Sequence, residues 1–114
     1  MLGLNSDASI RRLKGDSRPF NGFAERAAVL AGLRAIDLVV GFDEETPYAL
    51  IKALAPDVLV KGGDWPVARI AGADLVLAAG GEVHSLAFLE GNSTTDLVAL
   101  IVARQAENSI INNQ

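Results

Sequence analysis

Apolar residues recur along the chain with two periods, one typical of helices and one typical of buried strands. Phe23, Ala27 and Leu30 lie at helical spacing, which predicts a helix over 23–33. The short, β-branched apolar run over 36–42 follows it and predicts a buried strand. A helix and a strand therefore follow one another directly in this part of the chain.

The same alternation continues on both sides of this unit. Asp7 is expected to cap a short first helix, and Thr46 with Pro47 marks the start of another helix that ends before Pro56. The other predicted elements are the end of a strand over 1–4, the helices over 8–13 and 47–54, strands over 58–60 and 82–88, a turn and helix over 68–79, and a last helix that is capped by Thr94 or Thr95 and ends near 106.

Steady alternation of strands and helices predicts an α/β domain with a parallel sheet. We expect one domain over 1–106, followed by a polar C-terminal tail over 107–114. The pattern contains no internal repeat, linker or low-complexity segment.

Composition narrows the possible functions. Half of the 114 residues are hydrophobic, and the net charge of −4 argues against a broad nucleic-acid-binding face. No apolar run approaches the roughly 18 residues that span a membrane. The sequence has no cysteine and no signal-peptide pattern, so disulfides and thiolate metal sites are excluded and a cytoplasmic location is predicted.

Polar loops are predicted at three strand ends, where parallel sheets bind ligands. The first loop is Asn5-Ser6-Asp7, whose side chains suit either a helix cap or contact with a sugar or base. A second loop, 91–95, ends in Ser93, Thr94 and Thr95, which suit either a helix cap or a phosphate held at the helix N-terminus.

The third loop, 61–65, has the sequence Lys-Gly-Gly-Asp-Trp. Gly62 and Gly63 allow the backbone to approach a ligand closely, and Lys61 supplies a point charge for a phosphate. Asp64 can accept hydrogen bonds from hydroxyls. The loop lacks the Gly-Lys-Ser/Thr ending of a P-loop, so an ordinary turn remains an equal alternative.

Basic residues follow the first loop. Lys14 belongs to a cluster with three arginines between 11 and 18, and such clusters are most often solvated helix faces. Arg26 lies near the start of the 23–33 helix and either reaches a phosphate or faces water. The single histidine, His84, lies in a predicted strand and is interpreted as a structural or surface residue. No spacing predicts a metal site.

Five segments, taken in order, resemble the adenylyltransferase domain of ADP-heptose synthase, within the cytidylyltransferase-like nucleotidyltransferases. The segments are GLNSDASIRRLKG, RPFN, ERAAVLAGLRAIDLVVGFDEETPYALIKALAPDVLVKGGDW, AGADLVLAAGGEV and GNSTT. KGGDW and GNSTT also resemble cytidylyltransferases that act on glycerol phosphate. The resemblance covers nearly all of 3–101 and implies a Rossmann-like parallel sheet with helices on both faces.

The resemblance also implies a reaction. In these enzymes an oxygen of heptose 1-phosphate attacks the α-phosphorus of ATP, and pyrophosphate is released. Mg²⁺ is implied to accompany the nucleotide. The product, ADP-heptose, lies on the route to lipopolysaccharide core. The matching motifs imply that Lys14 and Arg26 contact phosphates in this chain. The residues implied to line the nucleotide and substrate cleft are Asn5, Asp7, Lys61, Gly62, Gly63, Asp64, Ser93, Thr94 and Thr95.

The chain departs from this family at its start. The family carries a His-x-Gly-His motif after its first strand, upstream of GLNSD, and His84 does not match it. The first strand is central in such a sheet, so its absence leaves backbone groups unpaired on both neighbours, at about 1–3 kcal/mol for each buried group. We therefore expect an N-terminally incomplete domain that is poorly stable or fills the gap by strand exchange or rearrangement. A homo-oligomer is a further possibility.

Two other functions stay open at this level. The chain either has no catalytic activity and acts as a nucleotide-binding or interaction module, or derives from a cytidylyltransferase acting on a polyol phosphate. A remnant without function is a third alternative, and the retained Lys61, Asp64 and Ser93 argue against it.

Overall fold

Strands and helices alternate along the chain, as the hydrophobic pattern predicts. The computed structural model describes residues 1–87 and 94–112, with side chains described over 1–87 and 97–106. The elements are β1 (Leu2–Asn5), α1 (Asp7–Lys14), α2 (Phe23–Ala31), β2 (Val39–Phe42), α3 (Tyr48–Leu54), β3 (Val58–Gly62), a 3₁₀ turn (Val67–Arg69), α4 (Ala73–Ala78), β4 (Glu82–Leu86) and α5 (Thr94–Asn112). The α/β prediction is confirmed.

The strands form two parallel pairs. β1 pairs with β2, with Asn5 opposite Phe42 at the carboxyl ends, and β3 pairs with β4, with Gly62 opposite Leu86. Across the described residues the two pairs are separate sheets, so β1 and β3 each have one edge without a strand partner. Parallel pairing within each sheet brings the loops after neighbouring strands to the same edge.

A small apolar core lies between α3, α4 and the 3₁₀ turn. Its buried members are Ile51, Ile70, Ala73 and Val76, each at most 7% exposed. Gly72 joins α4 to this core in a left-handed conformation with φ of +83°, and the Cβ position of a larger residue there would lie 2.7 Å from Cγ2 of Ile51. Glycine at 72 therefore permits the close approach of the α4 start to α3.

Helix α2 packs on β2 through one close contact. A Cβ at Gly41 would lie 2.8 Å from Cζ of the Phe23 ring, so glycine in β2 makes room for the first residue of α2. The contact brings the start of α2 close to the carboxyl end of the β1–β2 sheet, where Asp7 reaches it. It therefore positions Arg26, one turn further along α2.

Several predicted boundaries differ from the observed ones. The predicted capping role of Asp7 is wrong, because the side chain of Ser6 accepts the Ser9 N–H as the N-cap while Asp7 lies in the first helical turn. The strand predicted over 36–42 begins at Val39, and its residues are half-buried or exposed because only one other strand flanks it. The last helix continues past the predicted end near 106 to Asn112.

Within the described parts of the chain, none of the helices combines the length and the apolar character required to cross a bilayer.

Candidate functional site

Hydrogen bonds fix the loop that leaves β1 against the loop that leaves β2. The amide Nδ2 of Asn5 donates to Oγ of the fully buried Ser9 at 3.1 Å, and Ser9 Oγ donates to the carbonyl of Glu44 at 2.8 Å. The hydroxyl of Ser6 donates to the carboxylate of Asp43. The amide of Asn5 is thus half-buried and committed to a neighbour, which favours a structural role over free contact with a sugar or base.

Asp7 and Arg26 form the strongest polar contact at this edge. Nη2 of Arg26 lies 2.7 Å from Oδ1 of Asp7 and also donates to the carbonyl of Asn5 at 3.0 Å. Nε of Arg26 donates to the carbonyl of Asn21 at 3.0 Å. The side chain of Arg26 is 17% exposed, and its guanidinium group ties the end of β1 to the loop before α2.

The position of Arg26 bears on its predicted contact with phosphate. Three of its N–H groups are used within the chain, and among the described residues Nη1 has no hydrogen-bond acceptor. The residue borders a cavity of about 400 Å³ that is lined by Leu4, Asn21, Glu25, Arg26, Val29 and Leu30. Arg26 thus has a structural role in the chain and one nitrogen left for a ligand.

The carboxylate of Asp7 is stabilised in its charged form. The hydrogen bond from Arg26 is the main cause that lowers the pKa of Asp7, and the backbone N–H of Phe23 at the start of α2 lowers it further. The position at the N-terminus of α2 also favours a negative charge. Asp7 therefore stabilises the start of α2 and the carboxyl end of β1 together.

Asp7→Asn is expected to lower the melting temperature at neutral pH, because an amide pairs weakly with Arg26. A lowered folded-state pKa contributes stability that is present above the unfolded value of 3.8 and is lost as pH falls below it through the folded pKa. Thermal melts from pH 7 to pH 3 should therefore show the gap between parent and variant closing at acidic pH. Asp16→Asn, an exposed change in the next loop, serves as control, and a gap independent of pH would contradict the assignment.

Lys14 lies apart from these contacts. It is the last residue of α1 and is exposed, and Gly15 follows it as the helix C-cap with φ of +92°. In the described part of the chain it forms no ion pair. A lysine at a helix C-terminus is also favoured by the helix dipole alone, so its predicted phosphate contact stays a prediction.

The second polar edge is the turn after β3. Lys61 is half-buried in β3, and its Nζ lies 5.2 Å from the centre of the Trp65 ring. Gly63 has φ of +107°, and its N–H donates to the carbonyl of Leu86 at 2.6 Å. The turn requires glycine at 63, keeps Asp64 exposed and holds the ammonium group of Lys61 over an aromatic face.

Ser85 of β4 holds this turn in place, and the sequence did not indicate it. Its hydroxyl donates to the carbonyl of Gly63 and accepts the N–H of Trp65 at 3.1 Å. The strand register places Ser85 opposite Lys61, which brings the hydroxyl beneath the turn. Because 20 residues separate Ser85 from Trp65 in sequence, this contact could be found only once the pairing of β3 with β4 was known.

The structure gathers the candidate residues into two groups. Asn5, Asp7 and Arg26 form one, and the 61–64 turn forms the other; no hydrogen bond or ion pair within the described residues joins them. Ser93 lies outside the described residues. Helix α5 begins at Thr94 and includes Thr95, and because the side chains of both threonines are not described, their predicted role as helix cap or phosphate contact stays a prediction.

No metal site emerges from residues 1–87 or from the described part of α5. No group of three or more His, Asp or Glu side chains converges there in a way that would hold an ion. His84 instead lies on the surface of β4, with Nε2 3.1 Å from the carboxylate of Glu82. Its side chain is 54% exposed, so the surface role, one of the two predicted for it, is the one observed.

Comparison with known proteins identifies close relatives. No protein-family model matches the chain. It is 57% identical over 101 residues to a bifunctional HldE protein of Wolinella succinogenes, 55% over 105 residues to one of Shewanella denitrificans, and 52% over 107 residues to one of Geobacter sulfurreducens. These matches cover 89, 92 and 94% of this chain.

The matches cover a much smaller share of the relatives, namely 20, 22 and 22%. The chain thus spans about a fifth of the length of the curated proteins that it matches. It is a homologue of one segment of the bifunctional HldE proteins, which confirms the resemblance to the adenylyltransferase domain of ADP-heptose synthase that its ordered motifs indicate.

Proposed function

We propose that this chain is the nucleotide- and sugar-phosphate-binding part of an adenylyltransferase domain that transfers AMP from ATP to heptose 1-phosphate. The observation that carries the proposal is the identity of 52–57% to bifunctional HldE proteins over about nine-tenths of the chain. The rigid turn after β3, with Lys61 at a strand end, supports it because such edges bind phosphorylated ligands.

In the proposed reaction an oxygen of the sugar phosphate attacks the α-phosphorus of ATP. A new P–O bond forms there, the bond from the α-phosphorus to the bridging oxygen breaks, and pyrophosphate leaves. The chain's own contribution is charge and position: Lys61 and Nη1 of Arg26 hold phosphate oxygens, and Asp64 accepts from sugar hydroxyls. Gly62 and Gly63 let the backbone approach the ligand, and Thr94, Thr95 and Ser93 bind the nucleotide phosphates.

Mg²⁺ enters this proposal as the partner of the nucleotide triphosphate. The ion is proposed to accompany ATP and to neutralise charge on its phosphates. Lys14, exposed at the end of α1, is proposed to attract the same anionic ligands.

Catalysis is proposed to need a His-x-Gly-His segment, which this chain does not contain. Across the described residues, β1 and β3 each have one edge without a strand partner, and these edges are the proposed place for the strand that carries the segment. Strand exchange or a homo-oligomer is the alternative way to cover them. The chain alone should therefore bind ATP without turnover.

The test measures binding and turnover separately. Trp65 is the only tryptophan and lies beside Lys61, so its fluorescence reports ATP binding to the chain. Pyrophosphate release from ATP and heptose 1-phosphate is then measured with the chain alone and with a version extended by a strand and a His-x-Gly-His segment. We expect binding in both and release only in the extended version.

Other outcomes separate the alternatives. ATP binding that never leads to pyrophosphate release favours a binding module, and release from CTP and a polyol phosphate favours the cytidylyltransferase. An extended, folded protein that neither binds a nucleotide nor releases pyrophosphate would overturn the proposal.

A further inference from the structure

The loop between α1 and α2 ends in Asn21 and Gly22, and Asn21 is the one asparagine in the sequence that precedes a glycine. Both residues are exposed, and Gly22 is the N-cap of α2. In an asparagine–glycine pair the side-chain amide carbon lies within reach of the next backbone nitrogen, and glycine has no Cβ to shield that nitrogen. The pair is therefore a chemically reactive point on the surface.

The backbone nitrogen of Gly22 is accessible. Across the described residues its N–H donates no hydrogen bond to a backbone acceptor, although it lies at the start of a helix. Apart from the chain neighbours, one heavy atom lies within 4 Å of the place a Cβ would take at Gly22, namely Oδ2 of Asp7 at 3.6 Å. The fold thus neither engages this nitrogen nor covers it.

Arg26 makes the same nitrogen more reactive. Its Nε donates to the carbonyl oxygen of Asn21 at 3.0 Å. That carbonyl and the nitrogen of Gly22 belong to one conjugated peptide group, so a hydrogen bond from a cation draws electron density away from the nitrogen and makes its proton easier to remove. Asp7 and the carbonyl of Asn5 hold the guanidinium group in this position.

We propose that Asn21 is a site of spontaneous deamidation, in which the nitrogen of Gly22 attacks Cγ of Asn21. The bond from this nitrogen to Cγ forms, the bond from Cγ to Nδ2 breaks, and Nδ2 leaves as ammonia with the proton of the Gly22 nitrogen. Water then opens the cyclic imide. Opening at Cγ gives aspartate, and opening at the backbone carbonyl gives isoaspartate, in which the chain continues through the side chain.

The reaction changes the charge beside Arg26, because both products carry a carboxylate that the parent lacks. In the isoaspartyl product this carboxylate is the former backbone carbonyl group of Asn21, the group that accepts from Nε of Arg26. Arg26 already pairs with Asp7 at 2.7 Å, so a second carboxylate weakens the attraction that its Nη1 is proposed to offer a phosphate. This consequence rests on the proposed function, whereas the deamidation itself does not.

Asn5 provides a control within the same chain. Serine after asparagine also permits the reaction, but the N–H of Ser6 donates to the carbonyl of Phe42 at 2.8 Å. The side-chain amide of Asn5 donates to Oγ of Ser9 at 3.1 Å, and pairing of β1 with β2 fixes the backbone around it. Asn5 should therefore keep its amide while Asn21 loses it.

The test incubates the folded chain at mildly alkaline pH and follows both asparagines by peptide mass spectrometry, with isoaspartate detected by an isoaspartyl methyltransferase. We expect conversion at Asn21 and none at Asn5. Gly22→Ala should slow the conversion roughly tenfold, because the added Cβ shields the attacking nitrogen. Alanine suits this position, since φ is −65° and the Cβ makes only an ordinary contact at 3.6 Å. Circular dichroism establishes that parent and variant are equally folded.

Anion exchange then separates the converted chain for ATP titration of Trp65 fluorescence. The converted chain should bind ATP several-fold more weakly than the amide form, and equal affinities would overturn the proposed effect on Arg26. Equal conversion at Asn5 and Asn21, or a parental rate in Gly22→Ala, would overturn the deamidation site. A chain that converts at Asn21 but binds no ATP in either form would count against the proposed function and leave the modification site standing.

Discussion

Gly72→Ala is expected to destabilise the protein by about 2–5 kcal/mol, a large effect for a single methyl group. A left-handed conformation costs a residue with a Cβ about 1–2 kcal/mol, and φ at Gly72 is +83°. The added Cβ also lies 2.7 and 2.9 Å from Cγ2 and Cδ1 of Ile51, and overpacking of this kind costs about 1–3 kcal/mol. Ile51 is only 7% exposed, so it has little room to move.

Gly80 provides a matched control for this prediction. Its φ is also +83°, but a Cβ there meets nothing within 4 Å, so Gly80→Ala should cost only the conformational part, about 1–2 kcal/mol. Urea unfolding of both variants measures the difference, and the effect of Gly72→Ala should shrink when Ile51→Ala removes the facing side chain. Equal losses for the two glycines would show that the α3–α4 contact is looser than described.

The secondary structure is largely predictable from periodicity, because each helix and strand carries its own apolar pattern. Helix α2 and the α3–β3 region follow their predicted spacing to within two or three residues. The strand predicted over 36–42 is too long, since the apolar residues Ile36 and Leu38 cannot distinguish a strand from the turns that precede one. The division into two sheets depends on pairing between distant segments, which local patterns do not record.

The candidate site is predictable as a set of loops but not as a set of contacts. Ser6 and Asp7 are both good capping residues, so sequence cannot show that Ser6 caps α1 while Asp7 reaches the start of α2. By sequence Arg26 is equally able to face water or phosphate, and the fold gives it three internal acceptors instead. The role of Ser85 depends on the register of β3 with β4.

These contacts distinguish the residues that hold the loops at the sheet edges in place from the residues whose side chains remain available for a ligand. Asn5 and Asp7 are committed to neighbours, and Arg26 is committed through two of its three nitrogens. Lys61 differs, because within the described residues its ammonium group lies over the face of Trp65 and forms no ion pair. The turn that follows Lys61 is held by Ser85. Among the proposed ligand-binding residues, it is therefore the one whose removal should affect binding most and folding least.

In the version extended by the His-x-Gly-His segment, Lys61→Met is expected to lower kcat/KM for adenylyl transfer about 10²–10³-fold, the usual effect of removing one charged or hydrogen-bonding group aimed at the reacting phosphate. The methionine keeps the unbranched stem beside Trp65, so the melting temperature should change little.

Lys52→Met, an exposed change in the last turn of α3, is the control for loss of a positive charge. Steady-state pyrophosphate release measures both variants, and ATP titration of Trp65 fluorescence separates weaker binding from slower transfer. If Lys61→Met keeps the parental kcat/KM, the proposed role of Lys61 in binding the reacting phosphate is wrong. An equal loss of kcat/KM in Lys52→Met would show that the effect comes from the electrostatic field of the whole protein and not from the position of Lys61.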